Sequence, residues 1–474
     1  MIIAQTFWSS GKSLTESGFG WLHPEYNIMS WALSCLCLKE FYDNVVLYTD
    51  SEACRILIDK LHLPYTEVFV KYDDFACLPQ HWAYAKVMTY SLQAEPFLHI
   101  DGDVFLPRVL DEKINNSELV AQNRETGTGY YKCMAEKLLC RNSLFFQPYL
   151  YKALLADSIP SYNAGIFGGN DLSFIHHYCE EVFRFFNENK LNIHGSMNEN
   201  LNCNVIFEQV LFAALADIEG RGVKTVIDDH INDVGYTFDD FCDLHKFSSR
   251  SLFHIIGGHK QNRNICLMLE RTLLERYPEI YKRIIKLFPT RHPGYTKCDL
   301  QADYTLDVQM CMAQYYDFYN RVSRYLSLLD SDELLDIECR KYKYFEFVNA
   351  HEVERSEYCI FLNPHVFVYH IPEEWHPDAV NLLASRLGEN GNRHFDVVVI
   401  PSVTSCPLKE LAIGDMAYNI MTVLSRKTKY REIVDFIKRN VLINNKSVSK
   451  NIDDCILREI EFLLYNGIVF IKNI

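Results

Sequence analysis

Two aspartates flanking one glycine, Asp101-Gly102-Asp103, close the apolar run Phe97-Leu98-His99-Ile100, and Val104-Phe105-Leu106 resumes it. This pattern predicts a buried strand ending in a tight turn that presents two carboxylates at its carboxyl end. Gly102 lets the turn close, and its missing side chain leaves room for a ligand to approach. Carboxylates so placed suit a hard divalent cation, which takes oxygen ligands and often bridges to substrate phosphates. An Asp-Gly turn of a hairpin has the same three residues, so the triplet on its own is not diagnostic.

Three later stretches add to it. In Tyr162-Asn163-Ala164-Gly165-Ile166-Phe167-Gly168-Gly169-Asn170, small residues alternate with apolar ones, as at a close backbone approach or a turn between strands. Val205 to Ala216 reads as a buried helix carrying Glu208-Gln209, a polar pair that must find partners or face a cleft. Ser251-Leu252-Phe253-His254-Ile255-Ile256-Gly257-Gly258-His259-Lys260 reads as a strand running into a glycine turn. Lone histidines are usually structural. In the spacing His254-x-x-Gly257-x-x-Lys260, however, a neutral imidazole can be a third metal ligand, the glycine backbone can approach a diphosphate, and the lysine can neutralise it.

The elements that must position these groups alternate. Strands are expected at Ile2-Ile3-Ala4-Gln5, 45–49 and 67–70, and helices at 26–41, 51–61 and 82–92, the last leading into the Asp101 strand. Such alternation predicts a mostly parallel sheet with helices on both faces. Ligands bind such sheets beyond the carboxyl ends of the strands, where Asp50, Asp101 and Asp103 fall. Asp171 is placed to cap a helix over 172–187.

Composition narrows the classes. A chain of 474 residues, 48% hydrophobic and 23% charged, is ordinary for a globular protein of two or three domains. A net charge of -15 argues against nucleic acid as partner and requires local cations or a metal for any anionic substrate. The aromatic content of 14% reads first as core, although aromatic faces also stack on sugars and bases. Sixteen cysteines without Cys-x-x-Cys pairs argue against a zinc site and for a reduced compartment. The amino terminus has no signal-peptide pattern, and no apolar run reaches the ~18 residues of a membrane span. A cytoplasmic location is therefore expected.

Asp101-Gly102-Asp103, Asn163-Ala164-Gly165, Glu208-Gln209 and His254-x-x-Gly257-x-x-Lys260, in that order over residues 1–265, resemble GT-A glycosyltransferases, most closely those of glycosyltransferase family 8. The resemblance implies that Asp101, Asp103 and His254 hold Mn2+ (or Mg2+), which bridges the diphosphate of a nucleotide sugar, UDP-linked by resemblance alone. It implies that Gly257 and Lys260 contact the phosphates and that Asn163, Ala164 and Gly165 lie beside the donor sugar. Gln209, with Glu208 before it, would stand near the anomeric carbon, and Lys86 would be a donor-binding cation. Anomeric configuration would be retained. The chain departs from the family in Lys260-Gln261-Asn262, where Lys-Pro-Trp is frequent, and in Glu208, where Asp is common; both bear on the acceptor side and the exact donor.

Pro293-Gly294, in Thr290-Arg291-His292-Pro293-Gly294, marks a boundary. Domains are expected at 1–290, 295–394 and 395–474. The middle one holds a helix over 306–329 and a β-hairpin of 359–362 and 366–369 around Asn363-Pro364-His365. From Leu408 the expected order is helix 412–424, the break Ser425-Arg426-Lys427-Thr428, helices 430–441 and 453–464, and a closing strand 468–471. This order resembles a winged helix of the PqqD peptide-recognition type, implying β-augmentation by a peptide or leader-peptide acceptor; a structural cap is the alternative. DNA is the poorest ligand for it, given the acidic chain. The expected function is metal-dependent sugar transfer to an acceptor hydroxyl, with a peptide as first acceptor and a cell-surface glycan or lipid-linked saccharide as second. A non-catalytic nucleotide-sugar or peptide binding protein is the alternative of another class.

Overall fold

A computed structural model describes residues 1–126, 129–141, 144–192, 202–227, 242–244, 250–288, 304–326, 328–388, 394–402, 408–424, 427–444 and 452–472. The expected boundary at 290–294, the break at Ser425-Arg426 and most of the Asn-rich stretch 192–204 lie outside them. The chain divides into two units, Met1–Leu273 and Leu274–Ile474, earlier than the expected 290. Among the described residues no helix is long and apolar enough to cross a membrane.

The strands of the first unit are β1 (Ile2–Phe7), β2 (Val45–Thr49), β3 (Glu67–Val70), β4 (Phe97–Ile100), β5 (Val104–Phe105), β6 (Val120–Ala121), β7 (Arg124–Thr126), β8 (Pro160–Tyr162), β9 (Ile166–Gly169), β10 (Lys224–Thr225) and β11 (Phe253–His254). A seven-stranded sheet has the order β10-β6-β9-β4-β1-β2-β3. Only β9 runs against its neighbours β4 and β6; every other pairing in the sheet is parallel. This is the mostly parallel α/β architecture expected from the alternating pattern. Strands β2 and β4 are buried throughout, as strands covered on both faces must be, and accordingly they are mostly apolar, with only Thr49 and His99 as polar members.

Helix Pro24–Phe41 joins β1 to β2, the segment Ser51–Lys60 joins β2 to β3, and helix Ala83–Ser91 lies between β3 and β4. Pro24 sits in the first turn, where its missing N–H costs nothing. Asp50 caps Ser51–Cys54 by accepting from Ala53 N at 2.9 Å. The chain thus moves outward from β1 to β3 and then crosses to the other side of β1 for β4. The crevice beyond the carboxyl ends of β1 and β4 is the switch point where such sheets take ligands.

The second unit holds β12 (Cys359–Leu362), β13 (Phe367–Tyr369), β14 (Asp396–Pro401), β15 (Leu408–Ile413), β16 (Thr428–Lys429) and β17 (Val469–Lys472). They form two antiparallel sheets, β16-β12-β17 and β13-β14-β15. The expected hairpin over 359–369 is therefore absent, because its two strands enter different sheets. Asn363 makes the handover: its N–H donates to Ile468 O at 3.0 Å, its Nδ2 to Gly467 O at 2.8 Å, and its Oδ1 accepts from His365 N at 3.0 Å. The expected division at 395 falls between two strands of one sheet. Phe347 and Ile360 also share a core with Val398, Ile456 and Val469. The helix expected from Ala412 begins at Asp415, since Leu408–Ile413 pairs along the whole of β14.

Candidate active site

Asp101 follows directly on β4, where its N–H donates to Gly165 O at 2.9 Å and its carbonyl accepts from Val104 N at 3.1 Å, closing the turn. Helix Pro24–Phe41 holds that turn from beneath: Ser30 Oγ donates to Gly102 O at 2.7 Å and Ser34 Oγ to Val104 O at 2.8 Å. A Cβ on Gly102 would run into the Trp31 indole, with Cζ2 at 2.6 Å. The space left by this glycine is thus filled by Trp31, where the sequence suggested room for a ligand.

His254 is placed by the short β5–β11 pairing, in register with Val104, and Ile255 N donates to Asp103 O at 3.1 Å. Its Nε2 lies 3.5 Å from Asp103 Oδ1. Its Nδ1 is 2.8 Å from Gln122 Oε1, whose amide is oriented by donation from Nε2 to Asn123 Oδ1 at 3.0 Å. Nδ1 therefore carries the proton and the Nε2 lone pair faces the carboxylates, the arrangement that prepares a histidine to ligate. Burial pushes His254 down to about 4, which keeps the ring neutral. Gly165 is required by this packing, since a Cβ there would stand 2.7 Å from His254 Cε1 and 2.5 Å from Gln122 Oε1.

Ligand atoms of Asp101, Asp103 and His254 all lie within 4.8 Å of one another. Lys86 Nζ sits 2.8 Å from Asp101 Oδ1 and 2.6 Å from Glu208 Oε1, while Lys260 Nζ contacts Asp103 Oδ2. Three carboxylates thus share two ammonium groups. Burial lifts Asp101 to about 7, with Asp103 and Glu208 adding to the rise and Lys86 opposing it. Asp103 stays below its ordinary range although burial works against it, because the Lys260 ammonium beside it favours its charge. Lys86 is raised: burial opposes its charge, and Asp101 and Glu208 outweigh burial. An excess of negative charge, two oxygen ligands and a neutral imidazole nitrogen fit a divalent cation such as Mn2+ or Mg2+.

Four of these groups open on a cavity of about 480 Å³ at the switch point, whereas the buried His254 and Glu208 do not line it. Lys86, Asp101, Asp103, Gly257 and Lys260 line it, together with Trp8, Trp21, Trp31 and Trp82. Four of the five tryptophans of the chain therefore face one cavity, a convergence that the sequence reading left inside the aromatic content. Lys260 Nζ lies 5.9 Å from the Trp21 ring and Lys86 Nζ 5.7 Å from that of Trp82. Ser10 and Phe19, which also line it, adopt φ of 52° and 46°, a conformation non-glycine residues hold only where surroundings impose it.

Asn163, Glu208 and Gln209 do not line that cavity. Glu208, 1% exposed, lies on a π-helical turn, Ile206–Val210, and faces Lys86. Gln209 Oε1 lies 2.5 Å from Tyr131 OH, which also contacts Glu125. Asn163 Nδ2 donates to Glu125 Oε1 at 3.1 Å, and its Oδ1 accepts from Gly165 N at 2.9 Å. Ala164 O accepts from Lys86 Nζ at 3.4 Å. Gln122, between β6 and β7, Glu125 in the three-residue β7 and Tyr131 in the helix Gly129–Leu139 carry no motif in the sequence, and only the fold brings them to His254, Asn163 and Gln209.

Residues 1–287 match the family of unknown function DUF6734, and the chain belongs to that family. No curated protein matches. Among solved structures it is similar to the galactosyltransferase LgtC in complex with donor and acceptor sugar analogues, at 16% identity over 44% of this chain and 70% of that one, TM-score 0.26. An active-site mutant of LgtC gives 14% identity over 54% and 86%, TM-score 0.26. Mouse xyloside xylosyltransferase 1, apo form, gives 9% over 53% and 96%, TM-score 0.28.

Proposed function

We propose that this protein is a GT-A-type glycosyltransferase that takes a nucleotide sugar into the switch-point cavity and moves its sugar to an acceptor hydroxyl. The observation that carries this reading is the convergence of Asp101, Asp103 and Lys260 on one tryptophan-lined cavity, with the buried His254 close enough to Asp101 and Asp103 to share a cation with them. Mn2+ or Mg2+ held by Asp101, Asp103 and His254 would supply positive charge at the departing diphosphate. Lys260 then binds the phosphates from the Gly257–Gln261 turn, and the tryptophan faces offer stacking surfaces to base or sugar. Glu208 keeps Lys86 charged and in place beneath Asp101. Gln209 and Asn163, joined through Tyr131 and Glu125 away from the cavity lining, belong to the sugar side of this reading. Retention of configuration, a UDP donor and a cytoplasmic location belong to this reading.

In the second unit the order helix Asp415–Val423, β16, helix Tyr430–Asn444, helix Ile452–Tyr465, β17 supports a winged-helix reading and a peptide acceptor docked at a sheet edge. Its sheet takes its middle strand, β12, from upstream, so the module must begin before Cys359.

A thermal-shift panel of UDP-, GDP- and ADP-sugars, each with and without Mn2+, tests the reading, because a ligand of the folded state raises the melting temperature. A rise that needs both metal and one nucleotide class is expected. Equal melting with every donor would overturn it.

A further inference from the structure

We infer that Asn27 is the residue that selects the donor's nucleobase: its side-chain amide pairs with the edge of the base, while rings of the same cavity wall take its face. The inference rests on the nucleotide-sugar reading above and adds to it a specificity-determining residue outside the charged groups.

Asn27 lies near the start of helix Pro24–Phe41, is 2% exposed and lines the cavity. Its Nδ2 has no hydrogen-bond partner among the described residues. Of the described residues that line the cavity, Asn27 alone holds such a buried, unbonded side-chain atom. Buried amides are ordinarily bonded, so one left open on a cavity wall marks a place where a ligand completes the bonding. Rotation about χ2 exchanges the two ends of the amide, which therefore offers a donor and an acceptor side by side.

Trp31, one turn further along the same helix, lines the cavity as well, together with Phe7 and Phe19. Phe7 packs edge-on against both, with ring centroids 4.9 Å from Trp31 and 5.3 Å from Phe19. A nucleobase presents a flat face to such rings and, on its edge, an acceptor beside a donor, the complement of a carboxamide.

The Asp101 turn decides which end of the donor comes here. On one side Asp101 N donates to Gly165 O at 2.9 Å. On the other, Ser30 Oγ, from the helix that carries Asn27, donates to Gly102 O at 2.7 Å. With the diphosphate at the carboxylates and the sugar towards Asn163, Ala164 and Gly165, the nucleoside falls on the helix side.

The test titrates wild type, N27L and N27D, through tryptophan fluorescence, with UDP, GDP, ADP and, as a ligand without a base, inorganic pyrophosphate, all in the presence of Mn2+. Wild type is expected to prefer UDP. N27L should bind UDP about ten-fold more weakly, the scale of a hydrogen bond lost from a buried site, and should bind pyrophosphate as wild type does. N27D offers acceptors alone, so its preference should move from UDP towards GDP, because the guanine edge carries two adjacent donors. Should N27L fail to fold, N27S makes the same comparison. UDP binding unchanged in both variants, or UDP and pyrophosphate weakened alike, overturns the role of Asn27 and leaves the donor reading in place. Absence of nucleotide binding to wild type at any Mn2+ concentration overturns both.

Discussion

On either side of β4 the same kinds of polar residue meet opposite fates. Asp101, Asp103 and Lys260 line the cavity, and their charges do not balance once Glu208 and Lys86 are counted with them. Across the Asp101 turn, Glu208, Asn163 and Gln209 are turned to internal partners: Lys86, Glu125 and Tyr131. A buried polar group whose bonds are satisfied stabilises one arrangement, whereas surplus charge at a cleft demands something from outside. The carboxylates of the Asp101 turn thus carry the surplus charge at the cavity, the place where the proposed function puts its cation, and Glu208 belongs to the scaffold that holds Lys86.

The contrast can be broken most sharply at Asp103. Asp103→Asn should lower donor turnover by about 10²–10³-fold, the scale for losing one charge-stabilising group, with an unchanged melting curve. Steady-state turnover beside calorimetry checks it, and near-normal turnover would move the site elsewhere. Glu208→Gln should act first on stability, because it takes one of two carboxylates from a buried lysine that keeps Asp101, at a cost of about 1–3 kcal/mol. Denaturant melts read this; full stability with lost turnover would make Glu208 catalytic and erase the difference between the two sides.

Gly165→Ala should displace Gln122 and His254 and weaken Mn2+ binding by about 10–100-fold, as changes behind a metal ligand do. Titration calorimetry decides it, and unaltered affinity would mean that His254 is not a ligand. The smallest effect is in pH. Asp101 is raised to about 7 and must lose its proton to ligate, while His254, lowered to about 4, is already neutral there. Mn2+ affinity should therefore climb as pH rises towards about 7 and level off above it. A plateau reached by about pH 5 would contradict the assignment of Asp101.

Asp101, Asp103, His254 and Lys260 were legible in the sequence because their chemistry lies in residue type and spacing. The parallel sheet was legible because β2 and β4 are mostly apolar runs alternating with helical segments. The reasons for Gly102 and Gly165 were not, since each depends on a side chain far along the chain, Trp31 for one and His254 for the other. The tryptophans share a cavity only after β1, helix Pro24–Phe41 and the turn before helix Ala83–Ser91 have been brought together. Tertiary pairing also overrode local pattern at 359–369, where Asn363 bonds to Gly467 and Ile468 instead of closing a hairpin. In the same way Ala412 and Ile413, the end of β15, look in the sequence like the start of a helix, and pairing with β14 takes them into the sheet.

Anomalous scattering tests the central claim most directly. Crystals grown with Mn2+ and UDP, measured at the manganese absorption edge, should show one strong peak within coordination distance of Asp101, Asp103 and His254 Nε2, with the Lys260 ammonium on the diphosphate. A metal held elsewhere, or UDP bound outside the tryptophan-lined cavity, would contradict it.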